Sequence, residues 1–454
     1  MSSPAVPTRP SLGDDLDLRI DTLAYGGAGV ARLDGYVVFV RDAVPGDRVR
    51  ARVTKRKRAY AEARAVDVLE PSPERIPPVA DHPGAPWQVL PYERQLEVKS
   101  EQVSDALRRI GHLEGFEVEP TVPAVEPWRY RNKLEYSFGT GEGGELVCGF
   151  HAPGSWERIV HVEDCLLASE RGNAARRAAL EWCRARGLRA YDRRTQQGLL
   201  RNLVVREGRR TGELQVRLVT SDEPVDLTGF AEAVGAASVM LTRTEGVGET
   251  TAGGVSEVLR GTEAIDEELT VAGTGLRIRI SAEAFFQTNT EMAERLYGTA
   301  VEFAGLRGWE RVYDLFCGIG TIGLALAPRA GELWGLEIVE QAIADAIENA
   351  RRNEIGSARF FAGDVRLALR ELVARAGRPD VLVVDPPRAG LSGKIVRRIA
   401  EAAPKRIVYV SCNPTTLAPN AAQLVEAGWT LERVRPVDMF PQTPHIECVA
   451  LLER

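Results

Sequence analysis

Cys412 stands in the stretch YVSCNPTTLAPN, between a run of β-formers and residues able to open a helix. Asn413 suits an N-cap and Pro414 the first helical position, which places the thiol beside a helix N-terminus. Unpaired amides and the helix dipole at such an end are expected to lower its pKa. Three readings are open for it: a small buried hydrophobe, a metal or redox thiol, and a nucleophile. The six cysteines, Cys148, Cys165, Cys183, Cys317, Cys412 and Cys448, include no CxxC pair and no tight His/Cys cluster. That pattern disfavours a metal site and a disulfide framework. Cys317, beside a glycine loop, has no evident task and reads as packing.

A second group of residues suits a nucleotide-like ligand. DLFCGIGTIG carries Gly318, Gly320 and Gly323 in G-x-G-x-x-G spacing, and Glu337 closes the next strand in WGLEIV, placed to hold ribose hydroxyls. Such a loop serves nicotinamide, flavin and S-adenosylmethionine (AdoMet) alike. Asp364 in AGDV, suited to an adenine amino group, and Asp385, delivered by the apolar strand of VLVVDPPRAGL into a Pro-Pro turn, tilt the choice to AdoMet. In FPQTPHIECV, Glu447 opens the final strand among apolar neighbours, where burial would raise its pKa towards that of a useful base. The alternatives are an exposed edge-strand carboxylate at Glu447 and a turn cap at Asp385.

These residues fall where strand, turn and helix alternate, from about Ala282 to the C-terminus. Short apolar strands followed by amphipathic helices indicate a doubly wound α/β sheet, with ligands beyond the carboxyl ends of its strands. From Leu16 to about Glu70 the pattern is instead β: alternating runs broken by GGAG, LDG and VPGD predict a five-stranded OB-like barrel. A Pro-rich linker over Glu70–Trp87 and a helix over Pro91–Gly111 follow. The region from Pro120 to Ala264 is mixed α+β and rich in arginine. The expected organisation is therefore a disordered lead-in over 1–15, a barrel over 16–72, a linker and central α+β domain over 73–265, and a Rossmann-like domain over 266–454. The helix over 91–111 is free in this scheme to pack on the last domain.

With 454 residues, 44% hydrophobic and 27% charged, the chain is long enough for two or three domains with sizeable cores. No apolar run reaches the ~18 residues of a membrane span, and MSSPAVPTRPSLGDDLD lacks the apolar stretch of a signal peptide, so a cytoplasmic protein is expected. The net charge of −6 excludes a uniformly basic nucleic-acid binder. Arg48–Arg58 nevertheless holds seven Lys/Arg and no acid. Such concentrated charge is either a phosphate-contacting run or a solvated strand face.

Taken together, these residues resemble the RNA uracil-5-methyltransferases, the 23S ribosomal RNA and tRNA m5U enzymes, over nearly the whole chain. YRNKLEYSF, FFQTNTEMAERLY, the glycine loop, DPPRAGL, SCNPTTLAPN and FPQTPHIECV follow the family's blocks in order, and the N-terminal barrel is similar to its RNA-binding TRAM domain. The resemblance implies Cys412 as nucleophile and Glu447 as base, with Gln287, Phe316, Thr321, Glu337, Asp364 and Asp385 as AdoMet contacts; many relatives have Asn at the place of Thr321. Arg388 and Asn413 are implied to hold RNA or to order the loop. Many ribosomal members also bind a 4Fe-4S cluster through three cysteines after the barrel and a fourth in the central domain. Here DHPGAPWQVLPYERQLEVK has none and Cys165 alone matches the fourth, so no cluster is expected.

The expected activity is methylation of uracil C5 in RNA, with 23S rRNA as the target because bacterial tRNA members usually lack the barrel. The basic run and the central arginines Arg193, Arg194, Arg201, Arg206, Arg209 and Arg210 are expected to hold phosphates around an extruded base. No membrane and no obligate protein partner are expected. The alternatives are the same chemistry on tRNA, cytosine-5 methylation, and a non-catalytic RNA-binding or ribosome-assembly factor.

Overall fold

The computed structural model describes residues 9–454 except 246, 247, 249, 250 and 252. Residues 1–8 of the expected lead-in lie outside the described residues, and the first strand begins at Asp15. Among the described residues no helix is long and apolar enough to cross a membrane.

Six strands between Asp15 and Glu70 form the N-terminal sheet, one more than expected because Thr22–Leu23 makes a short edge. Alternation sends Val38, Val40, Val49, Ala51, Val53, Ala61 and Ala63 inward to one core. The opposite face of Arg48–Arg56 carries the basic run, and here the charge count misleads. Arg48 pairs with Asp17 and Glu70, Arg50 with Asp67, Arg52 with Asp15 and Lys55 with Glu62. Acids on the neighbouring strands thus neutralise most of the run. Among the described residues, no ion-pair partner meets Arg56, Lys57 or Arg58.

The central domain is a seven-stranded sheet running from Lys133 to Arg260, antiparallel except where Leu214–Thr220 lies parallel to Ser238–Arg243. Helix Glu170–Ala185 covers one face through Ala175, Ala179 and Cys183. Three of the six central arginines expected to hold phosphates are structural instead. Arg206 is buried and donates to the carbonyls of Ser281 (3.2 Å) and Ala284 (2.8 Å). Arg201 donates to Gly248 O (2.7 Å) and stacks on Tyr191, and Arg210 pairs with Glu294. Arg209 lies within 3.8 Å of Glu126 and Glu291. Arg193 and Arg194 remain at the surface, beside Trp156 and Tyr191.

The C-terminal sheet has eight strands in the order Ala358–Ala362, Glu332–Glu337, Arg311–Leu315, Val381–Val384, Arg406–Ser411, Glu447–Glu453, Thr430–Val437, Glu117–Val118. The first five are parallel, as the strand–helix alternation predicts. The last strand of the chain, Glu447–Glu453, inserts antiparallel between two others. Helix Tyr92–Asp105 and its extension Ala106–Ile110 pack here: Val103, Ala106 and Leu107 share a core with Leu417 and Ala421. With Glu117–Val118 forming the sheet edge, residues from 92 to 118 sit on the catalytic unit, and the expected 73–265 segment is split between two bodies.

The turn from Asp438 to Ile446 is held from every side. Lys99 Nζ meets Asp438 Oδ1 at 2.5 Å, both side chains fully buried, and Tyr92 donates to the other carboxylate oxygen. Gln95 and Gln442 exchange hydrogen bonds of 2.9 and 3.0 Å. Tyr130 of the central domain donates to Pro441 O, and Asn289 to Met439 O. Losing Lys99 leaves a buried carboxylate with one neutral partner. Lys99→Met is therefore expected to lower unfolding free energy by about 3–5 kcal/mol in guanidinium titrations, with Lys99→Met/Asp438→Asn recovering much of the loss.

Candidate functional site

The carboxyl ends of the parallel strands carry the side chains picked out by sequence. Strand Arg311–Leu315 ends at Phe316, which is held at φ 64° and so takes a left-handed conformation that costs a bulky residue energy. Gly318 and Gly320 follow, also at positive φ. At Gly320 a Cβ would press on Phe360 and Ala346 at 3.1 and 3.2 Å, so glycine is required for the loop to lie this close to the helix Glu340–Arg352. Phe316, Thr321 and Asp385 line one narrow cleft together with Phe285, Tyr297 and Asp314.

Asp314 was not singled out by sequence, although it is an acid near the end of an apolar strand. It is fully buried, and neither carboxylate oxygen has a hydrogen-bond partner of ordinary geometry. Burial, reinforced by Asp385 and Glu337, pushes it up to about 8 against the nearby Gly323 amide. Such an orphaned carboxyl group needs a ligand or water to satisfy it. The ammonium at the amino acid end of AdoMet and its cationic sulfonium are the kind of charge these carboxyl groups would answer, beside the glycine loop.

The other expected cofactor residues lie along the same edge of the sheet but outside the lining of that cleft. Gln287 is buried just before helix Thr290–Ala304, its carbonyl fixed by Asn132 at 2.9 Å. Glu337 accepts from the amides of Ile338 and Val339 through one oxygen. Asp364 caps helix Val365–Ala376 and is clasped by Arg366, which holds its carboxyl below the usual range. An adenine amino group would have to share that carboxylate.

Strand register brings Cys412 and Glu447 to the same end of the sheet. Arg406–Ser411 and Glu447–Glu453 run antiparallel and their ladder ends with Ser411 opposite Cys448; Cys412 follows Ser411 and Glu447 precedes Cys448, near enough for the carboxyl group to act on the thiol. Asp385 follows Val384, whose neighbour on the next strand is Tyr409. The loops interlock: Asn413 Nδ2 and Thr416 Oγ1 both donate to Arg388 O, and Arg388 approaches His445 at 3.4 Å. Asn413 thus orders the loop.

Electrostatics correct one expectation. Burial raises Glu447 far above the usual carboxylate range, as foreseen, with Asp385 adding to the effect and Arg388 opposing it. Burial brings Asp385 to about 7. Cys412, however, is raised to about 11, by burial first and then by Glu447 and Asp385, with Arg388 opposing. The helix N-terminus fails to lower it for a local reason. Pro414 has no N–H, and Asn413 Oδ1 already accepts from the Thr415 amide at 3.0 Å and its hydroxyl at 2.7 Å. The resting group is a thiol. Cys412 is half-buried, whereas the other five cysteines are buried.

Tyr25, also missed by sequence, reaches this centre from the N-terminal barrel and donates to Cys412 O at 3.3 Å. Cys165 is buried against His82 Nε2 at 3.3 Å and Asn173. Among the described residues no group of three or more His, Cys, Asp or Glu is arranged to hold a metal ion, and these neighbours do not fit a cluster.

The chain is similar to known proteins over nearly its whole length. Residues 254–454 match the family tRNA (Uracil-5-)-methyltransferase, and residues 11–66 match the TRAM domain. An uncharacterized RNA methyltransferase of Halalkalibacterium halodurans is 39% identical over 97% of both chains, and one of Bacteroides thetaiotaomicron is 38% identical over 95% of this chain and all of its own. Among solved structures, the Pyrococcus abyssi tRNA (uracil-54, C5)-methyltransferase in complex with S-adenosyl-L-homocysteine superposes with a TM-score of 0.78. It is 29% identical and covers 96% of this chain and 99% of its own. The chain belongs to the RNA uracil-5-methyltransferase family that carries a TRAM domain, and is an AdoMet-dependent enzyme.

Proposed function

We propose that this enzyme methylates C5 of a uridine in 23S rRNA through a covalent adduct on Cys412. The observation that carries the reading is the meeting of Cys412 and Glu447 at the end of one strand ladder, with Asp385 on the adjoining strand end. Uracil C5 is too weak a nucleophile to attack a methylsulfonium unaided, and addition of a thiolate at C6 changes that. The Cys412 thiol gives up its proton to solvent, and the Sγ–C6 bond then forms as the C5–C6 π pair moves to C5 and O4. C5 then takes the methyl group, for which AdoMet supplies the electrophile. Glu447, once ionised, removes the C5 proton; the C5–C6 double bond re-forms and Sγ departs with its electron pair. Gln287, Phe316, Thr321, Glu337, Asp364 and Asp385 would hold AdoMet, and Asp314 would join them.

The ribosomal target is supported by the barrel, since tRNA members in bacteria usually lack it. A tRNA target is the second reading, favoured by the similarity to a tRNA enzyme over that enzyme's full length.

Incubation with unmodified 23S rRNA or tRNA transcripts and methyl-labelled AdoMet, followed by nucleoside analysis, is expected to place label in 5-methyluridine from the ribosomal transcript. Label in another nucleoside, or in none, would overturn the chemistry. Glu447→Gln is expected to accumulate a protein–RNA adduct that survives denaturing electrophoresis, and Cys412→Ser to form none; an adduct without Cys412 removes it as nucleophile.

The raised carboxyl groups also fix a pH dependence. Asp385 and Asp314 are largely neutral below about 7 and 8, and a nearby sulfonium favours their ionised forms. Binding AdoMet then releases protons, whereas the neutral thioether of S-adenosylhomocysteine does not demand it. The affinity ratio of AdoMet to S-adenosylhomocysteine, measured calorimetrically, is expected to rise several-fold from about pH 6 to about pH 8. In the absence of cofactor the same groups stabilise the fold fully below the unfolded carboxyl range of about 4. That contribution is lost as pH climbs through about 7 and 8, so the Tm should fall over that interval.

A further inference from the structure

Between the N-terminal barrel and the segment from Arg75 to Val89 lies a cleft of about 1000 Å³, with Pro444 of the catalytic unit on its wall. One end is closed by Tyr25, whose hydroxyl rests on the carbonyl of Cys412. The turn bearing Tyr25 is docked rigidly: Gln102 donates to the carbonyls of Leu23 (3.2 Å) and Ala24 (3.1 Å). At Gly27, a Cβ would meet Pro444 at 2.9 Å and the Trp87 indole nitrogen at 3.1 Å. The other end is the outer face of the barrel. Strand alternation turns Val38 and Val40 into the core and leaves Phe39 and Arg41 outside, beside Tyr60 of the adjoining strand. Phe39 and Tyr60 pack edge to face at 5.4 Å, both only half-buried.

Charge in the cleft is nearly balanced. Glu62, Asp42 and Arg75 are taken by Lys55, Arg64 and Asp47. Arg41 has no ion-pair partner among the described residues, and Asp81 is the exposed acid opposite. What the surface offers is a pair of aromatic faces and one cation, next to the site where a uridine must leave its strand. Exposed aromatics stack unpaired bases of any sequence, and a single arginine serves a phosphate.

Resting on the function proposed above, we propose that this cleft seats the unpaired nucleotides flanking the target uridine. Phe39 and Tyr60 stack a base, Arg41 meets a phosphate, and Tyr25 acts as a positioning residue that couples the seated strand to the Cys412 loop. The barrel thereby adds to the centre around Cys412.

The test uses the full chain and a short fluorescein-labelled oligouridylate, titrated by anisotropy. Tyr60→Leu and Arg41→Ala are each expected to weaken binding about three- to tenfold, while Tyr60→Trp, which keeps a stacking face, binds as the parent does. Arg351→Ala, which removes an exposed helix cation elsewhere, should leave binding unchanged. Tyr25→Phe should lower kcat for methyl transfer several-fold with KM for AdoMet unaltered. Thermal melts monitor folding of every variant. Parental affinity in both Tyr60→Leu and Arg41→Ala overturns the proposal, as does equal loss in Tyr60→Leu and Tyr60→Trp, which would mark a packing role. Because oligouridylate binding needs no turnover, a parent that binds through the cleft yet yields no 5-methyluridine would sink the chemistry and leave the cleft standing.

Discussion

The active centre depends on one constraint, the antiparallel insertion of Glu447–Glu453 between Arg406–Ser411 and Thr430–Val437. In an otherwise parallel sheet the carboxyl ends of neighbouring strands face the same way, so each supplies one loop. Reversing the final strand brings its amino end to that edge, and Glu447 lies near Cys412. A one-residue slip would send Glu447 to the other face. The register is locked by burial on both faces of the strand, where Cys448, Val449, Ala450 and Leu452 are fully enclosed. It is locked again by the turn before it, which Lys99, Gln95, Tyr130 and Asn289 grip from three parts of the chain. The helix ahead of the central domain and the central domain itself therefore serve the geometry of a residue near the C-terminus.

That constraint concentrates acids. Asp314 and Glu447 are buried and Asp385 is half-buried; enclosure raises all three, and Asp385 adds to the effect on both Asp314 and Glu447. The resulting site is short of positive charge, with Arg388 the cation acting on Cys412 and Glu447. A cationic ligand relieves the deficit. Preorganised carboxyl groups of this kind bind charge more strongly in a water-poor cleft than they would in solvent.

How far the sequence reveals this depends on the range of each interaction. The glycine loop, the strand ends carrying Asp385 and Cys412, and the cap at Asn413 are local, and alternation plus turn chemistry find them. Asp314 has a local signal too, an acid near the end of an apolar strand, but only the fold shows that it is fully buried without a partner. Tyr25 and Lys99 carried none, because their partners lie 387 and 339 residues away. The basic run shows the same limit from the other side. Counting Arg48–Arg58 alone gives a strong positive segment, but Asp15, Asp17, Glu62 and Asp67 meet it across strands, and that pairing depends on register. The raised thiol is a tertiary effect as well: enclosure and the nearby Glu447 and Asp385 set it, and neither is visible in the local helix-start pattern.

Under the proposed chemistry, the raised thiol has a consequence for the order of events. A thiolate at Cys412 is disfavoured while Glu447 and Asp385 compete for the same scarce positive charge, so the free enzyme holds an unreactive thiol. A sulfonium in the cleft offsets the negative charge that Asp385 and Glu447 set against a thiolate. Seating the uracil then removes water and provides O4 to accept the electron pair displaced by Sγ. Nucleophile, base and methyl donor are thus coupled through one electrostatic balance, and attack on C6 becomes favourable only when the methyl group to be transferred is already in place.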